Sequence, residues 1–491
     1  MGISKEKIHK VRDILKKNNA KSGALFSACY FGNAFTNDKV FIGEGNGRKG
    51  KPVNCCMYWR WASMTKFLGL IALGAALEDG LLTLDDQVSK YIPEFKAINT
   101  YVSGSERQPG VDAYGTPNYK MIVTTEEGLG DKITIRNLIQ SNSGFGYIFW
   151  GLGSTRDLLD AFAGTKNGQN YISFIQYMDR EATSTTGFID SITTAYNKYN
   201  ATSTELILNR IKYPLVNKPG EDTIHGIDLL VLGAVIGRSL QMKGIKKTGS
   251  EYVKERIFDA LEMKNSWIAG GDLQPPKDVK NRLVDAFFVR QNNIDGKQGP
   301  LVKLNTMYRC FDPEAVDDGF TTLTKKFFLK NKITNNNYLA GDLQANAAGT
   351  LGDFTKLMKL IIYKGKYKGK QILSPQTVEY LLTAKIAEDA GIWAFGRGTL
   401  NLLQPNDDWI GGLSKIKATA SNVSFPVGES TLRWGGYYGT TYYFDISTGN
   451  YMVSGTQAPF ASWYLPVLPD GKPPSAPYEP NALEIFSILS T

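Results

Sequence analysis

The sequence has little of what most hydrolytic and metal centres are built from. It contains two histidines, His9 and His225, and four cysteines with no C-x-x-C pair. Zinc sites built from His and Cys need several such ligands in close spacing, so we expect no metal site of this kind. The G-x-S-x-G, Walker A and H-E-x-x-H motifs are also missing. The common hydrolase and nucleotide-binding templates are therefore excluded, and the sequence indicates no metal or organic cofactor.

Long hydrophobic runs are missing as well. The longest, residues 67–77 and 229–237, are well short of the roughly 18 residues that span a bilayer. The first twenty residues carry charges throughout and have no apolar core of the signal-peptide type, and they are typical of an amphipathic helix. We therefore expect a cytoplasmic protein with no membrane partner.

Charge is only mildly unbalanced. Lys and Arg number 56 against 47 Asp and Glu, a formal charge of +9 over 491 residues. The densest basic groups, at 325–332 and 364–370, are mixed with apolar residues, which is typical of a solvated surface. We therefore expect no nucleic-acid partner.

Cys55 and Cys56 are adjacent in the sequence. Without a secretory signal, a pair of reduced and partly buried thiols is the favoured interpretation. A strained redox pair is the alternative.

Strand-like segments lie near both ends of the chain. Alternating apolar residues predict strands at 23–30 and 39–44, and again through 432–457. Apolar runs at 62–80 and 229–240 predict two buried helices between them. The expected class is α/β (α+β), with one antiparallel sheet assembled from N- and C-terminal segments, flanked by helices, and an inserted mainly helical region.

We divide the chain into two regions that form one catalytic unit. Residues 1–62 and 340–491 are assigned to the sheet region, and 63–339 to the mainly helical region. Within the latter, the polar stretches 96–132 and 148–216 are predicted to be insertions, the second a helical cover over a cleft.

Two further local predictions concern glycine and proline. Gly45, Gly47 and Gly50 spell G-x-G-x-x-G, but no helix pattern follows, so we predict a loop and not a dinucleotide cradle. The last residues of the chain are rich in proline and are predicted to be irregular.

The tetrapeptide Ser-x-x-Lys occurs three times, beginning at Ser4, Ser63 and Ser414. Only Ser63 stands where a strand-like segment gives way to the most apolar helix. Residues three apart share a helix face, so Lys66 is expected beside Ser63. Burial and the helix dipole both disfavour an ammonium there, which would let Lys66 take the proton of the Ser63 hydroxyl. The alternative is that Ser63 caps a helix and Lys66 is solvated.

The residues around Ser63 resemble the start of serine β-lactamase-like proteins, which include class C β-lactamases, D-alanyl-D-alanine peptidases and family VIII carboxylesterases. The resemblance rests on segments that follow in the family's order, at 62–66, 77–88, 91–95, 133–139, 143–144, 219–220, 232–236, 373–378, 434–436 and 439–440. It spans roughly residues 55–457 and implies the β-lactamase/transpeptidase-like fold.

The family's second motif carries a tyrosine that is missing here. Counting from Pro219 places His225 at that position. An imidazole titrates near neutral pH, so the resemblance implies that His225 moves a proton between Ser63, Lys66 and the leaving group. If His225 is not this partner, Tyr147 or a tyrosine of the covering region is, or the protein is a weakened homologue.

The third motif of β-lactamases, Lys-Thr-Gly, is replaced by Trp434, Gly435 and Gly436, as in family VIII esterases. The lysine that helps to bind a substrate carboxylate is therefore missing. The resemblance implies that the backbone N–H of Tyr437 joins that of Ser63 in an oxyanion hole. A glycine-rich strand under close packing is the alternative.

Together these features predict a serine hydrolase that forms an acyl-enzyme on Ser63. The expected partner is a small-molecule ester, amide or β-lactam substrate, with carboxylic esters or small amides preferred because the carboxylate-binding lysine is missing. The alternatives are a β-lactamase or D-Ala-D-Ala peptidase, an inactive homologue that binds ligands in the cleft, and an acyltransferase.

Overall fold

A central antiparallel sheet with helices on both faces forms the framework of the protein. The computed structural model describes residues 3–22, 24–48, 50–111, 117–146, 169, 173, 176, 207, 210–221, 223–224, 226–268, 275–285, 287–291, 298–303, 343–383, 408–409, 411–416, 427–428, 430–436, 438–457 and 480–491. The described strands are β1 (Phe26–Asn33), β2 (Lys39–Arg48), β3 (Lys51–Pro52), β4 (Tyr58–Arg60), β5 (Thr100–Val111), β6 (Pro117–Thr125), β7 (Ser266–Ile268), β8 (Phe287–Gln291), β9 (Gln298–Lys303), β10 (Ala347–Thr350), β11 (Lys366–Tyr367), β12 (Lys370–Gln371), β13 (Asp408–Trp409), β14 (Ser414–Lys415), β15 (Thr431–Gly436), β16 (Thr440–Asp445) and β17 (Asn450–Gly455).

Helices account for most of the remaining described elements. The α-helices are Lys5–Ser22, Thr65–Glu78, Val88–Tyr91, Ile135–Gln140, Asp228–Met242, Gly249–Val253, Val279–Arg282, Leu351–Ile362, Pro375–Thr383 and Pro480–Ser490. Short 3₁₀ helices lie at Ala62–Met64, Pro93–Ala97 and Leu129–Lys132, and a π-helical stretch at Lys254–Asp259. None of the described helices combines the length and apolarity needed to cross a bilayer.

The main sheet joins the two ends of the sequence. Its eight strands run in the order β13-β14-β15-β16-β17-β1-β2-β3 with every neighbouring pair antiparallel. Ala28 of β1 pairs with Gly43 on one side and with Gly455 on the other. The predicted assembly of one sheet from N- and C-terminal segments is confirmed. The division of the chain at residues 62 and 340 stays a prediction.

Both faces of the sheet are covered, which explains why its central strands are apolar at successive positions. Side chains alternate between the faces. One face, with Phe26 and Ala28, joins the large core that contains the Thr65–Glu78 helix. The other, with Cys29 and Phe31, packs against the Lys5–Ser22 and Pro480–Ser490 helices.

The Thr65–Glu78 helix is buried on all sides, as its apolar sequence predicts. Every residue from Thr65 to Ala76 is buried. Gly74 allows close approach of the Pro375–Thr383 helix, because a Cβ at Gly74 would lie 2.8 Å from Leu381 Cδ1. The helix ends at Glu78, just before the predicted end at Asp79 and Gly80, and the φ of +60° at Gly80 favours glycine.

The prediction of a loop at the glycine motif is wrong for Gly45 and Gly47, which lie in β2. Gly50 alone lies in the turn to β3. The φ of Gly45 is +85°, and a Cβ there would lie 2.1 Å from Leu25 O. Glycine is therefore what lets β2 run beside β1 at this point.

The prediction of an irregular C-terminus is also wrong in part, because a helix occupies Pro480–Ser490. Proline is well tolerated in the first turn of a helix, where its missing N–H is not needed. Ile485 and Phe486 are buried against the sheet. Residues 458–479 lie outside the described residues.

Of the two predicted insertions, 96–132 contains a hairpin formed by β5 and β6. The stretch 148–216 lies largely outside the described residues. Cys55 and Cys56 are exposed and not partly buried as predicted. That they are reduced stays a prediction.

Candidate active site

Ser63 emerges from an otherwise buried stretch. Strand β4 leads through Trp61 into the Ala62–Met64 turn, and the Thr65–Glu78 helix follows at once. From Met57 to Ala76, Ser63 is the one residue that is not buried. The hydroxyl thus reaches the surface of the core on a backbone that is fixed on both sides.

Lys66 lies beside Ser63, as the helical spacing predicts. Its Nζ is 2.9 Å from Ser63 Oγ and 3.1 Å from the backbone oxygen of Gln344. Lys66 is only 2% exposed, so the alternative of a solvated lysine is wrong. A buried amine within hydrogen-bond distance of a hydroxyl has the geometry that a general base needs. The catalytic role of Lys66 stays a prediction.

The backbone before Ser63 adopts an uncommon conformation. Ala62 has φ +48°, in the left-handed region that non-glycine residues rarely adopt. Trp61 is held on both sides, since its N–H donates to Ala347 O at 3.0 Å and its carbonyl accepts from Thr440 Oγ1 at 3.1 Å. Such strain persists only where the surroundings fix it, and it is often found at functional sites.

The glycines at the end of β15 differ in what they do. A Cβ on Gly436 would lie 2.3 Å from Trp61 O and 2.5 Å from Thr440 Oγ1, so the strand reaches the Ser63 turn only because this residue is glycine. A Cβ on Gly435 would meet no atom closer than 3.4 Å. Trp434 is buried in the core. Tyr437, the predicted oxyanion donor, lies outside the described residues.

Gln344 is a site residue that the sequence analysis missed. Its backbone oxygen accepts from Lys66 Nζ, and its side-chain Oε1 accepts from the Leu229 N–H at 3.1 Å. Gln344 is 4% exposed. It therefore ties Lys66 to the N-terminus of the Asp228–Met242 helix. No local pattern in the sequence marks this residue, because the link joins segments more than a hundred residues apart.

Asp228 is the second residue that was missed. It is 1% exposed, and its Oδ1 accepts a hydrogen bond from Ser143 Oγ. Among the residues that the structure describes, no hydrogen-bond partner faces its buried Oδ2. Burial raises the pKa of Asp228 to about 7, although hydrogen bonds from Ser143 and the backbone, and the charge of Lys66, act to lower it. A lone acid before the apolar run 229–237 was the available signal, but such acids commonly complement a helix dipole.

The segments on either side of the predicted His225 position are described, but His225 itself lies outside the described residues. Ile224 N–H donates to Ser141 O at 2.8 Å. A Cβ on Gly226 would lie 1.9 Å from Phe145 O. The turn at 141–145 and the residues that lead into the Asp228–Met242 helix are therefore packed tightly together. The role of His225 stays a prediction.

No group of three or more His, Cys, Asp or Glu side chains within the described ranges is arranged to hold a metal ion. What the described residues do assemble is a serine, a buried amine, a buried acid and a glycine-bearing strand end. Together with the fold, this arrangement defines the class of serine β-lactamase and transpeptidase-like proteins.

The family is shown by sequence as well. The Beta-lactamase family model matches residues 32–459, and the chain belongs to this family. A curated relative, the acyltransferase calJ of Penicillium decumbens, is 24% identical over 250 residues, which cover 48% of this chain and 47% of the relative. The chain thus matches about half the length of that protein.

Solved structures resemble nearly the whole chain. EstCE1, described as a hydrolase with promiscuous acyltransferase activity, has a TM-score of 0.59 at 15% identity, with 99% of both chains covered. Simvastatin Synthase from Aspergillus terreus, in its LovD9 mutant, has a TM-score of 0.59 at 16% identity, with 98% of both chains covered. At these identities the likeness shows the fold.

Proposed function

We propose that the protein is a serine hydrolase that forms an acyl-enzyme on Ser63 and hydrolyses carboxylic esters or small amides. The observation that carries the proposal is the 2.9 Å contact between Ser63 Oγ and the buried Lys66 Nζ. Ser63 is also the one accessible residue in a buried stretch, which suits a nucleophile that must meet substrate.

The proposed reaction has two steps. Lys66 takes the proton of Ser63 as Oγ attacks the carbonyl carbon, and the N–H groups of Ser63 and Tyr437 hold the oxyanion. His225 then delivers a proton to the leaving group and later takes one from the water that hydrolyses the acyl-enzyme. As the acyl group leaves, Lys66 returns its proton to Ser63 Oγ. The roles of Tyr437 and His225 come from the family resemblance.

Acyl transfer to a second small molecule is the other candidate. It is favoured by the similarity to calJ, an acyltransferase, and to EstCE1, a hydrolase with promiscuous acyltransferase activity. In that case an alcohol or amine, and not water, attacks the acyl-enzyme. The two candidates share the acylation step, so they are separated only by what removes the acyl group.

Labelling with a fluorophosphonate, followed by intact-mass measurement, tests acylation. We expect stoichiometric labelling of the native chain, none in Ser63→Ala, and slow labelling in Lys66→Met and His225→Ala. Ser4→Ala is the matched control, since the exposed Ser4 begins another Ser-x-x-Lys tetrapeptide just before the N-terminal helix, and this variant should label normally. Failure of the folded native chain to label would instead support the inactive homologue that binds ligands.

Substrate class is tested by turnover. Short-chain nitrophenyl esters should be hydrolysed and nitrocefin should not, because the Lys-Thr-Gly lysine is replaced by Trp434. Addition of alcohols during ester turnover separates the two candidates. A hydrolase releases mostly free acid, whereas an acyltransferase gives mostly the new ester. Faster turnover of nitrocefin than of esters would instead support a β-lactamase or peptidase.

A further inference from the structure

Cys55 and Cys56 form a pair of thiols that the proposed reaction does not use. They lie in the turn between β3 and β4, and both are exposed. Their Sγ atoms are 3.9 Å apart. The third cysteine that the structure describes, Cys29, is buried in the core behind the sheet.

The backbone around the two thiols is held from both sides. Asn54 Oδ1 accepts from the Cys56 N–H at 3.0 Å, and Asn54 O accepts from the Met57 N–H at 3.2 Å. On the other side, Arg282 Nε donates to the Cys56 carbonyl at 2.8 Å.

Arg282 is itself fixed in place. Its guanidinium forms a 2.7 Å ion pair with Asp278 and lies 4.2 Å from the centre of the Tyr58 ring. The Tyr58 hydroxyl donates to the same Asp278 at 2.9 Å. The two thiols therefore stand side by side on a turn that is braced by side-chain contacts. This raises the effective concentration of each thiol toward the other.

The distance between adjacent residues decides what kind of disulfide such a pair makes. Neighbouring Cα atoms across a trans peptide are about 3.8 Å apart, below the usual disulfide separation of roughly 4.4 to 6.8 Å. A bond closed between them is strained, and strained exposed disulfides are the readily reduced ones. The pair thus suits reversible oxidation and not permanent cross-linking.

We propose that Cys55 and Cys56 are a reversible thiol–disulfide site that reacts with small-molecule disulfides. One thiolate attacks a disulfide RSSR, forms a mixed disulfide and releases one RSH. The second thiolate attacks the protein sulfur of that mixed disulfide, closes the Cys55–Cys56 bond and releases the second RSH. The protein loses two protons and two electrons, which together are two hydrogen atoms, and the small disulfide is reduced to two thiols. Excess thiol reverses both steps.

Glutathione disulfide and intact-mass measurement under native conditions test the site. The full chain carries Cys310→Ser as a common background, because Cys310 lies outside the described residues. With the pair intact we expect the protein to lose two hydrogens and keep no glutathione, with peptide mapping placing the bond between Cys55 and Cys56. Cys55→Ser and Cys56→Ser are the matched controls, and each should keep one stable glutathione. Dithiothreitol should restore every starting mass.

Three results would overturn the proposal. They are an intact pair that keeps glutathione as stably as the single variants do, a disulfide between two copies of the chain, and no reaction in any of the three proteins. The measurement does not involve Ser63, so its failure is distinct from failure of the proposed hydrolase.

Discussion

The stability of the protein should depend on pH through one buried carboxyl, that of Asp228. Burial raises its pKa from 3.8 to about 7, so between these values the native protein holds a proton that the unfolded chain has lost. Stability is then greatest below the lower value, falls as pH rises, and has lost the whole contribution above about pH 7. About three pKa units at 1.36 kcal/mol each give a loss of about 4 kcal/mol.

Asp228→Asn removes this titration and keeps an oxygen that can accept from Ser143. The free energy of unfolding, measured by urea titration at about pH 5 and pH 8, should fall by about 2.7 kcal/mol more in the native protein than in the variant, because about two pKa units of this titration lie between those pH values. Any change in stability that the substituted amide causes equally at both pH values cancels, because each protein is compared with itself at the two pH values.

Asp445→Asn is a control of opposite sign. Burial alone would raise the pKa of Asp445, but hydrogen bonds from Ser447, Thr448 and other neighbours lower it overall. Asp445 therefore contributes stability above its unfolded-state pKa that is lost as pH falls through the lowered folded-state pKa. An Asp228→Asn variant whose stability changes with pH as the native protein's does would refute the argument that Asp228 is neutral in the fold.

Three further variants test the packing of the site, each measured by the rate at which fluorophosphonate labels Ser63. Gly436→Ala should nearly abolish labelling, because the new Cβ would lie 2.3 Å from Trp61 O. Gly435→Ala is the control and should label readily, because its Cβ would meet no atom closer than 3.4 Å. Equal labelling rates in the two variants would contradict the close approach at Gly436. Gly412→Ala should slow labelling, because the new Cβ would lie 2.5 Å from Lys66 O. Gly369→Ala is the control and should label normally, since Gly369 also has a positive φ but no atom lies within 4 Å of its Cβ position. Slow labelling of both variants would indicate that backbone strain alone is the cause. Gln344→Leu leaves the Leu229 N–H without its acceptor. We therefore expect the free energy of unfolding to fall by about 1 to 3 kcal/mol and labelling to slow by roughly tenfold. Unchanged labelling in the folded variant would show that the hydrogen bond between Gln344 and Leu229 does not position Lys66.

The parts of the site that could be predicted are those that follow from local periodicity. Lys66 stands beside Ser63 because residues three apart share a helix face, and the run after Ser63 is apolar enough to require burial. The meeting of the chain ends in one sheet followed from strand patterns at both ends together with the family resemblance.

The parts that could not be predicted depend on contacts distant in sequence. Gln344 and Asp228 reach the site through tertiary packing, and nothing in their own neighbourhoods shows which residues they contact. Gly45 and Gly47 lie in β2 although a loop is predicted there, because the lack of a helix pattern after the motif does not exclude a strand. At Gly45 the close approach of Leu25 is what requires glycine. His225 and Tyr437 stay predictions from the family resemblance.

The pairing of β1 with β17 has a consequence for how the chain is made. Asn33 and Asn450 are partners across this pair and are 417 residues apart. At synthesis rates of 5 to 20 residues per second, β1 therefore waits roughly 20 to 80 s for its neighbour to leave the ribosome. During that time the nascent chain can form the β1–β2 hairpin but leaves one edge of an apolar strand open, which invites aggregation. We expect folding to be slow, dominated by this high contact order, and helped by chaperones that shield the edge of β1 until β17 arrives.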